Sequence, residues 1–195
     1  MNLQQFPDQP SMNNALIDFV YSNLVAVHSQ PEELAVRYLN ERCILAPHNT
    51  DVRCVNADVL DWLPGPSLTL TSINTPDPDG FNSLPEECLN KPPPAGLPEH
   101  RIIVKVGMPI VVTRNMAISK GVCNGSRVLI TAVQTGCIIG KLMTGPFAGD
   151  EVMLPCCKLQ NKGGQKLGLS FYQHQFPILA VYAMSINKSQ GQTLT

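Results

Sequence analysis

The sequence has 195 residues, enough for one ordinary domain, or one domain with a small insertion, around a sizeable core. Its formal net charge is −1 with 15% charged residues, so no broad basic surface offers sequence-independent nucleic-acid binding and any such contact has to be local. Seven cysteines (Cys43, Cys54, Cys88, Cys123, Cys137, Cys156, Cys157) include no C-x-x-C pair and no histidine-spaced partner; this argues against a metal site and a disulfide framework and reads them as reduced core residues.

The opening MNLQQFPDQPSMNN lacks a basic region followed by an apolar stretch, and no run of about 18 apolar residues occurs, so a soluble, intracellular chain is expected. From Asn14 to Val27, Leu16, Phe19, Val20, Leu24 and Val27 recur at spacings of three and four, which predicts one helix. Pro31, Glu32 and Glu33 form a helix start, and Leu34, Val36 and Tyr38 carry it to about Asn40. Cys43 to Ala46 is a short buried strand stopped by Pro47. His48, Asn49, Thr50 and Asp51 then offer caps to a helix whose apolar face is Val52, Val55, Val59, Trp62 and Leu63, ended by Pro64-Gly65. Strand, capped turn and helix can receive a phosphate, or can be an ordinary βα unit with a satisfied cap.

Leu68 to Thr71 can form another strand. Ile73 to Leu97, rich in Pro, Asp, Asn and Gly, predicts no regular element, and Pro92-Pro93-Pro94 suits a stiff spacer. Five strands follow at Ile102 to Val106, Ile110 to Thr113, Arg127 to Val133, Cys137 to Leu142 and Glu151 to Leu154. Their separators, Gly107, Asn124-Gly125, Thr135-Gly136 and Gly145 to Asp150, indicate a small barrel with a tight hairpin at Thr135-Gly136. Gln160 to Lys166 reads as an exposed return in which Lys162 and Lys166 solvate a loop, and Leu169 to Phe176 leads into the final segment.

That segment opens with an unbroken apolar run from Ile178 to Met184, which predicts a strand buried on both faces. Ser185, Asn187, Lys188, Ser189, Gln190, Gly191, Gln192 and Thr193 follow at its carboxyl end, where open α/β sheets place ligands. A helix starting near Ser189 would aim backbone N–H groups, hydroxyls and Lys188 at one spot suited to an anion such as phosphate. By residue type alone, the same arrangement is also a common structural cap.

INKSQGQTL, preceded by an apolar strand and Tyr182-Ala183-Met184, resembles motif V of the PIF family of superfamily-one ATP-dependent 5′-to-3′ DNA helicases. YLNERCILAPHNTDVRCVNADVLDWLPG resembles that family's motif IV region, and SLPEECLNKPPPAGLPEHRIIVKVGMPIVVTRNM is similar to its lead into an inserted module. VTRN and KGVCNGSRVLI are similar to the opening of that module, a small Src-homology-type barrel. The resemblance runs from about Glu32 to Thr195; Ser126 and Ser185 stand where threonine is expected, and the Asn14 to Val27 helix matches only in type.

The resemblance implies an α/β fold: an incomplete RecA-like second motor domain with an inserted all-β barrel. Its divisions are 1–98 for the first part of the motor domain with the proline-rich linker, 99–159 for the barrel, and 160–195 for the return and motif V. It assigns Asn187, Lys188, Ser189, Gln190, Gly191, Gln192 and Thr193 to the DNA track and nucleotide cleft, and Pro47, His48 and Asn49 to the motif IV region. Arg114, Asn115, Asn124 and Arg127 become barrel contacts that touch DNA or brace the barrel, with Asn124-Gly125 equally readable as only a turn. ATP and Mg2+ are the implied cofactors, single-stranded DNA and a first motor domain the implied partners, and a monomer in the nucleus or mitochondrion, with no membrane association, the implied setting.

No G-x-x-x-x-G-K-[ST] loop or following acidic metal-binding strand occurs in the 195 residues, nor an arginine-bearing motif VI after motif V. The expectation is therefore a fragment or truncated copy that binds no cofactor and hydrolyses no ATP alone. The alternative is a non-catalytic nucleic-acid or protein-binding module, or an inert copy. Against a base-stacking surface stands an aromatic content of 6%, with a single tryptophan, Trp62, on a helix.

Overall fold

The structure, a computed structural model, describes residues 9–77, 96–161 and 170–186. They fall into two compact units, one comprising 1–65, 107–109 and 180–195, the other 66–106 and 110–179.

The first unit opens with α1 (Gln9–Tyr21) and α2 (Leu24–His28), where one continuous helix was expected. The inward face also differs: Ile17, Tyr21 and Leu24 are buried, while Phe19 is 85% exposed and Leu16 44%. Tyr21 decides this choice of face, because its hydroxyl donates to Tyr182 O at 2.6 Å and its ring meets the Tyr182 ring edge-on. The helix α3 (Glu32–Asn40) begins after Pro31 with Glu32 and Glu33 in its first turn, as its sequence dictates. Strand β1 (Ile44–Ala46) follows, and then α4 (Asn49–Trp62), which buries Val55, Asn56, Val59 and Leu60.

In the second unit β2 (Leu68–Thr71) pairs with β4 (Arg101–Val104), and β3 (Ile73–Pro76) lies between them in sequence. The remaining strands in chain order are β5 (Pro109–Val112), β6 (Arg127–Gln134), β7 (Cys137–Leu142), β8 (Glu151–Pro155), β9 (Cys157–Asn161), β10 (Phe171–Gln175), β11 (Ile178–Ala180) and, in the first unit, β12 (Ala183–Ser185). One five-stranded sheet has the order β11-β5-β6-β7-β8, and a three-stranded antiparallel sheet the order β3-β10-β9. The β6–β7 hairpin turns at Thr135-Gly136, where Gly136 takes φ +81°, a value that favours glycine. Val128, Ile138 and Leu142 from its strands, and Leu154 from β8, are essentially solvent-free.

Three strands arise where none was expected, one of them β10 itself (Phe171–Gln175). Ile73–Pro76 forms β3 and Cys157–Asn161 forms β9, each by pairing with β10: Tyr172 faces Thr75 on one side and Gln160 on the other. Non-local pairing here overrides weak local propensity. The proline-rich stretch around Pro92 and the lysines at 162 and 166 lie outside the described residues.

The expected single strand from Ile178 to Met184 is two. β11 joins the five-stranded sheet, the chain turns at Val181 and Tyr182, and β12 runs parallel to β1. The run is apolar throughout because Ile178, Val181, Tyr182, Ala183 and Met184 are all buried, so hydropathy carries no sign of the turn. The cysteines depart from expectation as well. Cys54 and Cys156 are exposed, Cys43, Cys123, Cys137 and Cys157 are half-buried, and all six are free thiols. Cys88 lies outside the described residues.

Gly140 lies against the β-bulge at Ile130 and Ala132. A methyl group there would sit 2.5 Å from Leu129 O and 2.5 Å from Val128 Cγ1. Backbone cannot swing aside, so Gly140→Ala should destabilise by about 2 kcal/mol, typical of overpacking. Chemical denaturation checks this, and a midpoint unchanged from wild type would show that the sheet absorbs the group.

Candidate nucleic-acid interface

Strands β1 and β12 pair in parallel with the register Ile44↔Ala183, Leu45↔Met184 and Ala46↔Ser185. Both chains therefore leave the sheet side by side at its carboxyl edge, the position where open α/β sheets bind ligands. From Ala46 the chain enters Pro47, His48 and Asn49, all exposed. From Ser185, which is 8% exposed, it enters Ile186, which is 47% exposed. Asn187, Lys188, Ser189, Gln190, Gly191, Gln192 and Thr193 lie outside the described residues.

His48 is the residue before α4, with extended dihedrals and no side-chain capping bond, although its carbonyl accepts from Val52 N at 3.2 Å. The cap expected from His48 is thus not made, which leaves the start of α4 open to an external acceptor. Asp51 in the first turn opposes an anion there.

Asn56 fixes the edge from behind. It is 8% exposed, its Nδ2 donates to Ala183 O at 3.1 Å and Ala180 O at 3.3 Å, and its Oδ1 accepts from Ala183 N at 2.8 Å. Tyr182 O, accepting from Ile44 N at 3.0 Å and from the Tyr21 hydroxyl at 2.6 Å, completes the clamp. Burial, helped by the neighbouring Tyr21, holds the Tyr182 phenol well above its ordinary pKa, so it stays neutral. Sequence reasoning missed Asn56, and its one signal was an amide next to Val55 and three before Val59 within the apolar stripe of α4.

The other candidates lie in the β-rich unit. Arg114, Asn115 and Asn124 are exposed. Asn115 Oδ1 accepts from Asn124 N at 2.8 Å and Gly125 N donates to Val112 O at 2.8 Å, so Asn124-Gly125 is a held turn. Arg127 is 4% exposed, a position that braces the unit and cannot reach an external strand. Ser126, the threonine replacement, accepts from Cys123 N at 3.0 Å and donates to Gly121 O at 2.7 Å, so the hydroxyl alone performs the turn's bonding.

Burial, with Cys157 adjacent, pushes the Cys156 thiol up, and burial raises Cys157 against the opposing pull of Arg114. Both stay protonated at neutral pH, which weakens them as nucleophiles and ligands. Among the described residues no group of three or more His, Cys, Asp or Glu is placed to hold a metal, and no helix is long and apolar enough to cross a membrane.

Comparison with known proteins gives the context of this edge. Residues 87–133 match the family model described as DNA helicase Pif1, 2B domain. The rat ATP-dependent DNA helicase PIF1 is 28% identical over 154 residues, which is 77% of this chain and 22% of the rat protein. The human counterpart is 27% identical with the same coverage. The chain thus spans 22% of the length of these curated relatives. Among solved structures, Pif1 helicase from Candida albicans superposes with a TM-score of 0.59 at 17% identity, covering 100% of this chain and 48% of that one. Bacteroides Pif1 bound to ssDNA gives 0.57 at 19% identity, covering 95% and 41%. Both show a shared fold, and the 2B match places residues 87–133 beside one domain of such a helicase in sequence. More particularly, the chain is similar to a portion of PIF1 helicases that includes the 2B domain.

Proposed function

We propose that this chain supplies the second RecA-like motor domain, with its inserted Src-homology-type barrel at 99–159, of an ATP-dependent 5′-to-3′ helicase that moves on single-stranded DNA. The observation that carries this reading is the parallel register Ala46↔Ser185, from which the motif IV-like and motif V-like segments leave one sheet edge together. A relative crystallised with single-stranded DNA supports the choice of ligand.

In this reading Lys188 provides a point charge to a backbone phosphate, Ser189 and Thr193 provide hydroxyl contacts, and Gly191 gives room for close backbone approach. Gln190 and Gln192 bridge strand and nucleotide, while Pro47, His48 and Asn49 form the neighbouring wall. Arg114 is an exposed cation that the β-rich unit adds. Phosphate contacts of this kind are indifferent to base sequence.

ATP and Mg2+ need a phosphate cradle that the 195 residues do not contain, and Asp51 at the open start of α4 fits a triphosphate poorly. The chain alone should therefore bind single-stranded DNA with no base preference and release no phosphate from ATP, with or without DNA. A phosphate-release assay beside an oligonucleotide titration tests both, and DNA-stimulated turnover within the ~1 to 10³ s⁻¹ range of ordinary enzymes would overturn the division of labour.

A further inference from the structure

We propose that the solvent-facing side of the β3-β10-β9 sheet is a base-stacking platform for single-stranded nucleic acid, built on Tyr172 and His174. This deepens the reading of the chain as part of a DNA motor and rests on it. Alternation along the three strands turns six residues outward in two cross-strand rows: Thr75, Tyr172, Gln160 and Ile73, His174, Lys158. Gln173 and Gln175 point inward and are buried, which fixes the register that presents the two rings.

The face has the chemistry of a nucleic-acid site. Gln160 Nε2 donates to the Tyr172 hydroxyl at 3.2 Å, holding the ring by its tip, and Lys158 Nζ lies 4.0 Å from the ring centroid. A cation beside an aromatic face can pass to the phosphate of a nucleotide whose base takes its place on the ring. None of the six outward residues is a carboxylate, so the charge complements an anion. The nearest acid in the sheet's continuation, Asp77, accepts a hydrogen bond from Ser170 Oγ. Residues two apart on a strand are about 6.6 Å apart, wider than the 3.4 Å rise of stacked bases, so Tyr172 and His174 would each take a separate, splayed base. The low aromatic content of the whole chain conceals this, because it does not register the pairing of one tyrosine with a histidine and a lysine across three strands.

The test uses the full 195-residue chain, a labelled oligothymidylate, and an oligonucleotide of equal length with abasic central positions. Tyr172→Leu should weaken oligothymidylate binding at least about fivefold, within the range for loss of one stacked base, and leave abasic binding nearly unchanged. Tyr172→Phe should retain the preference for bases, and Lys158→Gln should lower the salt slope by about 0.7 for both ligands. A Tyr172→Leu chain that keeps the wild-type ratio of base-bearing to abasic affinity overturns the platform. Should that variant fold poorly, photocrosslinking wild type to a 5-iododeoxyuridine oligonucleotide decides: adducts within 171–175 support the platform, and adducts only elsewhere, or no binding, overturn it. Loss of the Lys188 dependence with the Tyr172 effect intact would instead count against the motif V reading alone.

Discussion

Replacing Asn56 by leucine should cost about 3 kcal/mol or more, although leucine keeps the branched outline of asparagine and no cavity opens. The reason lies in what the amide leaves behind. Ala183 is 1% exposed, and its N–H and carbonyl both bond to Asn56, as does the carbonyl of Ala180. Each buried backbone group stripped of its partner costs about 1 to 3 kcal/mol. For a chain of this length that corresponds to a fall in Tm of about 6 to 12 °C. Asn56→Asp should be no better, since it keeps an acceptor for Ala183 N but aims a carboxylate at two carbonyls. Calorimetry on the three proteins checks this, and a shift under about 2 °C for leucine would mean that the turn at Val181 and Tyr182 is held by Tyr21 and packing alone.

A comparable loss should follow Gln175→Leu in the β-rich unit. Gln175 is 1% exposed, and its Nε2 lies 3.2 Å from Leu70 O, 3.1 Å from Glu99 O and 3.1 Å from His100 O. Two N–H bonds serve three carbonyls, so one is shared, while Oε1 accepts from Phe176 N at 3.0 Å. Leucine takes a partner from all four groups, of which His100 O keeps Ser72 N at 2.8 Å, for about 3 kcal/mol. Gln175→Glu sharpens the test through pH. Burial among carbonyls raises the folded pKa of the new carboxyl above its unfolded value near 4.3, so the folded state binds the proton more tightly. Stability should then be lost as pH rises above about 4 and partly recovered on acidification, relative to wild type at each pH. A deficit independent of pH would show that water reaches position 175.

How much of this was legible from sequence depended on whether the signal was local. The α3 start at Pro31, Glu32 and Glu33, the β1–α4 unit and the Cys137–Leu142 strand are each written in spacing, caps and turn residues. β3 and β9 were not legible because Ile73–Pro76 and Cys157–Asn161 become strands only by pairing with β10. The choice between Phe19 and Tyr21 as the inward residue of α1 depended on a carbonyl 161 residues away. The candidate site divides the same way. Pro47, His48 and Asn49 were marked by the strand before them, whereas their adjacency to Ser185 is a property of parallel pairing, and Asn56 serves a chain segment that the sequence keeps remote.

Whether the segment leaving Ser185 touches DNA is tested most directly at Lys188. The net charge of the chain is −1, so it has no cationic excess to compensate for a lost phosphate contact. In salt titrations on a labelled single strand, Lys188→Ala should weaken binding about equally for all base sequences and lower the slope of log affinity against log salt by roughly 0.7. Slopes and affinities superimposable on those of wild type would contradict a phosphate contact at Lys188 and remove the motif V-like segment from the DNA track.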